Sequence, residues 1–274
     1  MDKLIITVAV TGSLPTKRAT PHVPITPEEI IQAGIACEAA GASVIHIHAR
    51  NPEDESPSTD FSLFEKICRG IEAETNLITQ ISTGGRAGMA YEQRCERLRL
   101  QPEMASLTTG SVNFPNSVYE NSPQLIEALA ADMLKYRIKP EMEIFDVSMI
   151  SNAIALVEKE LVAPPLHFDF VMGLKGAIPA TVENLVHMRS SLPPGSTWTA
   201  AGIGKAQLPM ATLAVLMGGH ARVGLEDNIY FNRGELATNE QLIGRVVQLA
   251  RILGRDVATP DEARKILNLP VLPA

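Results

Sequence analysis

Val44-Ile45-His46-Ile47-His48-Ala49-Arg50 reads as a short strand buried on both faces, with Gly41 before it and a polar, Pro-containing loop after it. Residues two apart on a strand share a face, so His46 and His48 point the same way. Two neutral imidazoles side by side at a strand's carboxyl end suit a divalent metal, each offering one nitrogen at about 2.0–2.1 Å. A pair of core histidines hydrogen-bonded to neighbours is the alternative.

Outward from this strand the chain repeats one pattern. Strand-like runs fall at residues 4–10, 43–49, 77–82, 104–108, 141–147, 167–172, 196–200 and 221–225, with amphipathic segments of helical length between them. The helix starts are marked. Thr26-Pro27-Glu28-Glu29 supplies an N-cap hydroxyl, a proline at the first helical position and a capping-box glutamate. Ser122-Pro123, Thr238-Asn239-Glu240-Gln241 and Thr259-Pro260-Asp261-Glu262 repeat parts of that signal. Eight strands alternating with helices over 274 residues predict an α/β fold, a single-domain (β/α)8 TIM barrel over residues 1–274, with a doubly wound open sheet as the rival. The longer loops, residues 11–25, 51–60 and 109–121, follow strands 1, 2 and 4, on the face where barrels place their chemistry.

Composition narrows the class. A 45% hydrophobic share fills a sizeable core, and a formal net charge of −7 argues against a general nucleic-acid or anionic-membrane binder. No apolar run has the length of a bilayer span. Cys37, Cys68 and Cys95 fall in predicted helices without metal-ligand spacing, and no signal-peptide pattern opens the chain, so the expectation is a cytoplasmic protein.

A barrel brings the ends of different strands to one rim. His46 and His48 at strand 2 therefore face Glu226 and Asp227, which end strand 8 in Arg222-Val223-Gly224-Leu225-Glu226-Asp227-Asn228. Two histidines and a carboxylate make a zinc set with an open fourth position; a helix-capping loop is the plainer use of such an acidic pair. Ser82-Thr83-Gly84-Gly85 ends strand 3, and its paired glycines free backbone N–H groups to face a carboxylate or oxyanion, unless the segment is simply a capped turn. Ser106, Thr108 and Thr109 sit at strand 4 and Asn113 in the next loop, while Glu143 and Asp146 are assigned to strand 5. Glu143, inside a barrel, is either an ion-pair member or a support for the metal ligands. Gly202-Ile203-Gly204-Lys205 after strand 7 lacks the spacing of a phosphate motif and reads as a turn with a solvated lysine. His22, His187 and His220 are not expected to be ligands, and His167 should lie on the opposite, stability face.

These residues resemble the beta-keto acid cleavage enzyme family along nearly the whole chain. The marks are Pro24-x-Thr26, Ile45-His46-Ile47-His48-Ala49-Arg50, Ser82-Thr83-Gly84-Gly85, Pro102-Glu103-Met104-Ala105-Ser106-Leu107, Glu143-Ile144-Phe145-Asp146 and His167-Phe168-Asp169-Phe170-Val171. Met217-Gly218-Gly219-His220-Ala221-Arg222-Val223-Gly224-Leu225-Glu226-Asp227-Asn228 and Ala258-Thr259-Pro260-Asp261-Glu262-Ala263-Arg264 complete them. The resemblance implies a zinc-dependent barrel that converts a β-keto acid and acetyl-CoA into acetoacetate and a new acyl-CoA. It implies metal ligands at His46, His48 and Glu226, a base at Asp227 with Arg222 as partner, substrate contacts at Ser82, Gly84, Gly85 and Ser106, a further acidic site residue at Glu143, and a homotetramer. One position departs from the family. Leu14 stands where a relative acting on an amino keto acid carries an acidic residue, which favours a neutral or acidic substrate tail; Arg86 and Lys175 are candidates for meeting an acidic one.

Two other readings compete. An amidohydrolase-type zinc hydrolase places His-x-His on strand 1 and draws further ligands from strands 5, 6 and 8, whereas this pair is on strand 2. A non-catalytic binding barrel has no use for an open metal position beside a charged Asp227.

Overall fold

The capping residues start helices where the sequence places them. Thr26 accepts from Glu29 N at 3.2 Å while the Glu29 carboxylate accepts from Thr26 N at 3.2 Å, and Pro27 opens the helix. The same reciprocal pairing joins Thr238 to Gln241 and Thr259 to Glu262. The computed structural model describes residues 2–85 and 89–270. Its main strands are β1 (Ile6–Ala9), β2 (Val44–Ile47), β3 (Ile78–Ile81), β4 (Met104–Thr108), β5 (Lys139–Ile144), β6 (His167–Met172), β7 (Thr197–Gly202) and β8 (His220–Val223). The helices that follow them are α1 (Pro27–Ala40), α2 (Phe61–Glu74), α3 (Tyr91–Cys95), α4 (Pro123–Lys135), α5 (Ser148–Glu158), α6 (Val182–Ser190), α7 (Gln207–Met217) and α8 (Asn239–Ile252); α9 (Pro260–Ile266) comes last. The eight strands are parallel and close in the order β1-β8-β7-β6-β5-β4-β3-β2. This is a (β/α)8 barrel.

Three details differ from the sequence reading. β5 begins at Lys139 and stops at Ile144, so Asp146 is not on the strand. Its carboxylate accepts from Ser148 N at 3.2 Å at the head of α5, the local turn that aspartate favours over extended backbone. β8 stops at Val223 because Gly224 turns the chain with φ +142; a Cβ there would lie 2.2 Å from Ala9 O. The long loops after β2 and β4 carry small antiparallel pairs, Ala49–Arg50 with Pro57–Ser58 and Val112–Phe114 with Ser117–Tyr119.

The apolar core lies mainly between strands and helices, in two clusters. One joins β4 to β7 with α4 to α7, and the other joins β8 and β1 to β3 with α1, α2 and α8. Each fully buried Ile or Leu there contributes about 1.5–3 kcal/mol. A third, smaller cluster plugs the barrel's lower end, where Ile5, Val44, Ile78 and Met104 meet Ala258, Ala263 and Leu267 around α9. The other half of the lower interior is polar. His167 Nε2 lies 3.0 Å from Glu141 Oε2 and His167 Nδ1 lies 2.8 Å from Thr197 Oγ1, while Ile5 N donates to His220 Nδ1 at 3.1 Å. Neither histidine belongs to the rim, as expected from the sequence.

Burial opposes the charge on Glu141, but the His167 hydrogen bond and the attraction of His167, His46 and Arg222 together outweigh it and hold the carboxyl below its ordinary range. A carboxyl depressed in the folded state stabilises the fold above its unfolded value of about 4.3, and that contribution is lost as pH falls through the lower folded value. Glu141→Gln should therefore cost about 2 kcal/mol at pH 7, the scale of a charge-assisted hydrogen bond. In urea melts the gap to the unmutated protein should narrow steadily below pH 4. A gap independent of pH would show that packing, not the charge, is what the glutamate contributes.

Candidate active site

The rim above β2 and β8 gathers the predicted metal set. His46 and His48 bring their rings to 5.1 Å, edge to face, and one ligand atom from each of His46, His48 and Glu226 lies within 4.8 Å of the others. His48 Nε2 is 3.4 Å from Glu226 Oε1. Ligands about 2.1 Å from a tetrahedral zinc lie about 3.4 Å apart, so this pair is already at ligand spacing. Glu226 Oε2 is buried and has no hydrogen-bond partner among the described residues, as expected of an oxygen kept for a cation. Gly12, with φ +60, lets the loop after β1 pass over this carboxylate; a Cβ there would meet Glu226 Cγ at 2.4 Å.

His46 is oriented from β3. Its Nδ1 lies 2.6 Å from Gln80 Oε1, in a register where His46 and Gln80 are direct neighbours. The amide oxygen accepts, so His46 carries its proton on Nδ1 and presents the Nε2 lone pair. Burial, reinforced by the Arg222 charge, lowers the His46 pKa to about 4, which keeps the ring neutral.

Arg222 sits among four carboxylates. Its Nε donates to Asp227 Oδ2 at 3.0 Å, and Nη2 donates to Asp227 Oδ1 at 3.0 Å and to Glu226 Oε1 at 2.8 Å. Nη1 donates to Asp169 Oδ2 at 3.3 Å and lies 3.8 Å from Glu143 Oε1. Burial disfavours the guanidinium charge, but Asp227, Glu226 and Asp169 overcome it and push its pKa well above the usual value. For Glu226 burial works upward, yet His48 and Arg222 prevail and hold it far below the carboxylate range. Asp227 goes the other way: burial raises it, the Glu226 charge adds to that, and Arg222 only partly offsets both. Glu143 is also raised, chiefly by burial, although the Thr108 hydroxyl donates to it.

Ser82 follows β3 and Ser106 lies on β4, and both are buried. Gly84 N donates to Ser82 Oγ at 3.1 Å and Thr83 N to Ser106 Oγ at 3.3 Å. The expectation that the Gly84 N–H is free is thus corrected, because the nearby serine hydroxyl takes it first. Leu14 is 84% exposed on the loop that Arg50 holds by the carbonyls of Gly12 (3.1 Å) and Pro15 (2.9 Å). An ammonium beside Leu14 would keep its water, so what Leu14 fails to give it is a counter-charge. Arg86 lies outside the described residues. Lys175 is exposed, as is Lys205, while Gly204 N donates to Asp227 O at 2.7 Å and ties the loop after β7 to the acidic pair.

Sequence reasoning assigned no role to Gln80 or Asp169. Gln80 is the lone inward polar residue of β3, and Asp169 shares the inward face of β6 with His167; that period-2 position is the available signal.

A model of the beta-keto acid cleavage enzyme family matches residues 3–269. The chain belongs to this family. It is 48% identical over 271 residues to a 3-oxoadipate:acetyl-CoA acetyltransferase of Cupriavidus necator, covering 97% of this chain and 95% of that protein. It is 44% identical over 272 residues to a 3-keto-5-aminohexanoate cleavage enzyme of Fusobacterium nucleatum, covering 98% of this chain and 99% of the relative. The fold resembles the solved structure of ObcA with oxaloacetate, with a TM-score of 0.79 and 21% identity over 92% of this chain and 68% of that one. The beta-keto acid cleavage enzymes are carbon–carbon bond-cleaving acyl-transfer enzymes, and acetyl-CoA is the co-substrate named for the relatives.

The Gln80 contact has a measurable consequence. Gln80→Leu should weaken zinc binding by about 10–100-fold, the usual cost of losing the group that orients a ligating histidine. Titration against a chromophoric chelator reads this directly; unchanged affinity would mean that packing alone sets the His46 ring.

Proposed function

We propose that this beta-keto acid cleavage enzyme acts on a β-keto acid and acetyl-CoA, releasing acetoacetate and a new acyl-CoA, with a divalent metal, zinc, held by His46, His48 and Glu226 in one domain spanning the chain. The observation that carries the reading is the pairing, on one rim, of a two-histidine, one-carboxylate set with a separate carboxylate, Asp227, gripped by Arg222 on two nitrogens. When bound there, the metal supplies Lewis-acid stabilisation of the negative charge that develops on the keto oxygen. A non-catalytic barrel would not need the second carboxylate.

Asp227 is the group placed to take the proton from the carbon between ketone and carboxylate. Its raised proton affinity suits a base, and the Arg222 fork fixes its two oxygens. The carbanion then attacks the acetyl-CoA thioester, forming a carbon–carbon bond and expelling the CoA thiolate. That thiolate adds to the original ketone, and cleavage of the bond between this carbon and the acidic carbon yields the new acyl-CoA and the acetoacetate carbanion, which takes the proton back from Asp227. Ser82, Ser106 and the 82–85 loop hold the carboxylate of the keto acid, and Glu143, kept close to Thr108 and Arg222, is the reserve proton carrier.

For the substrate tail we favour a neutral or acidic group. Leu14 offers no counter-charge to an ammonium, and the substrate named for the Cupriavidus necator relative, 3-oxoadipate, is a dicarboxylate. A homotetramer is part of the reading. It is supported by the exposed apolar side chains Val182 and Val186 on α6 and Leu208 and Leu216 on α7, and light scattering tests it.

Asp227→Asn should bind zinc normally and lose about 10²–10⁴-fold in kcat, the range for a general base, because an amide takes no proton at neutral pH. Near-normal kcat would move the base to Glu143. His48→Ala should lose metal and activity together.

A direct comparison of kcat/KM for 3-oxoadipate, an unbranched neutral β-keto acid and 3-keto-5-aminohexanoate, with acetyl-CoA and with acetoacetate as readout, tests the substrate class. We expect the amino substrate to be the poorest by at least about tenfold, equivalent to 1.4 kcal/mol. An advantage for the amino substrate would refute the reading of Leu14.

A further inference from the structure

Two buried cations lie beneath the 82–85 loop and have no anionic partner among the described residues. Arg94 on α3 and Arg97 in the 3-10 turn Glu96–Leu100 are each 2% exposed. Arg94 donates to Thr83 O at 2.7 Å, Glu120 O at 3.0 Å and Asn121 Oδ1 at 2.8 Å. Arg97 donates to Gly84 O at 2.9 Å and Arg94 O at 3.3 Å, and its guanidinium lies 5.0 Å from the centre of the Phe64 ring. Every acceptor is a neutral oxygen. Among the described residues neither arginine pairs with a carboxylate, and Arg86-Ala87-Gly88 has no acidic side chain to offer. A buried guanidinium ordinarily has a carboxylate or phosphate partner, because an uncompensated charge is costly away from water.

The arginines also set the direction of the loop. A trans peptide points its C=O and N–H to opposite sides. With the Thr83 and Gly84 carbonyls taken from below, the Gly84 and Gly85 N–H groups turn the other way. The Gly84 and Thr83 N–H groups end on Ser82 Oγ and Ser106 Oγ, so each serine oxygen already accepts and its own hydrogen is left to donate. The loop rests directly on the arginine, since a Cβ at Gly85 would lie 3.0 Å from Arg94 Cδ. The β3–β4 side of the mouth thus combines hydroxyl donors with two buried positive charges. The four carboxylates stand on the β5, β6 and β8 side.

We propose that Arg94 and Arg97 are positioning residues that charge and orient the 82–85 loop, and that the group this loop selects is a carboxylate of the substrate, which serves as the counter-ion the two arginines lack. The inference rests on the β-keto acid reading of the site. That reading already gives the carboxylate to this loop; the inference goes further in locating the responsible charge outside direct contact, on Arg94 and Arg97.

Calorimetric binding to the zinc-loaded protein, without acetyl-CoA turnover, tests it. The probes are acetoacetate and its neutral methyl ester, which shares the dicarbonyl but not the charge. The unmutated protein should prefer acetoacetate by at least about tenfold. Arg97→Gln should remove most of that preference by weakening acetoacetate alone, and Arg97→Lys should restore it, because the charge returns. Equal weakening of both probes, or none, would overturn the role of the arginines and leave the keto-acid reading intact. Equal affinity of the unmutated protein for the two probes would overturn the carboxylate selection even if Arg97→Gln does not fold. No binding of acetoacetate to the unmutated protein would overturn this inference and the proposed function together.

Discussion

Arg222 is the only guanidinium within reach of Glu143, Asp169, Glu226 and Asp227 among the described residues, and the upper barrel is organised around it. Its strand neighbours in register, Thr7 on β1 and Ala201 on β7, are small and leave the interior to its side chain. Four buried carboxylates facing one cation carry excess negative charge, and a buried charge without compensation is unfavourable. A divalent cation at His46, His48 and Glu226 would relieve that excess. On the proposed reading, a metal there would answer to the charge of the whole interior and not to three ligands alone.

That interior also decides where stability comes from. Barrels are usually filled by branched apolar side chains. Here Gln80, Glu141, Glu143, His167, Asp169 and Arg222 take many of the inward positions, so the apolar core moves outward to the strand–helix layer. Only the lower end beneath β1 to β4 keeps an apolar plug, closed by α9, where Ser43 Oγ donates to Ala258 O at 2.5 Å. The functional interior is carried by a shell that does not depend on it for burial.

The legible parts of the molecule were those with local signals. Eight strands and four capped helix starts follow from patterns within a few residues, as Thr26 with Glu29 and Thr259 with Glu262 illustrate. The His46–His48 pair follows from strand periodicity, and its meeting with Glu226 follows from closing the barrel. Gln80 and Asp169 were not legible because a single polar residue on a strand acquires a partner only through register across the sheet. Arg94 and Arg97 carry no local signal that sets them apart, because their burial is purely tertiary. Asp146 went to the wrong element because strand endings are set by turn chemistry that an apolar run does not reveal. The exposure of Leu14 likewise depends on how Arg50 holds the loop after β1.

The distribution of charge bears on the proposed chemistry. The substrate enters as an anion and becomes more negative when its acidic carbon loses a proton. Near four carboxylates such a species would be repelled, so two separate positive sources are required: one for the carboxylate already present and one for the charge that develops. On the proposed reading, a metal held by the set on β2 and β8 would serve the second need. The buried arginines behind the 82–85 loop serve the first, on the opposite side of the mouth. Asp227 lies on the metal side, where burial and Glu226 raise its proton affinity and Arg222 limits the rise. A base made stronger by a negative neighbour and held at both oxygens by a positive one is suited to take a proton from carbon. Moving either positive source to the other side would place substrate charge against carboxylates, and so the separation of the two, rather than the identity of any one residue, is what lets an acidic interior act on an acidic substrate.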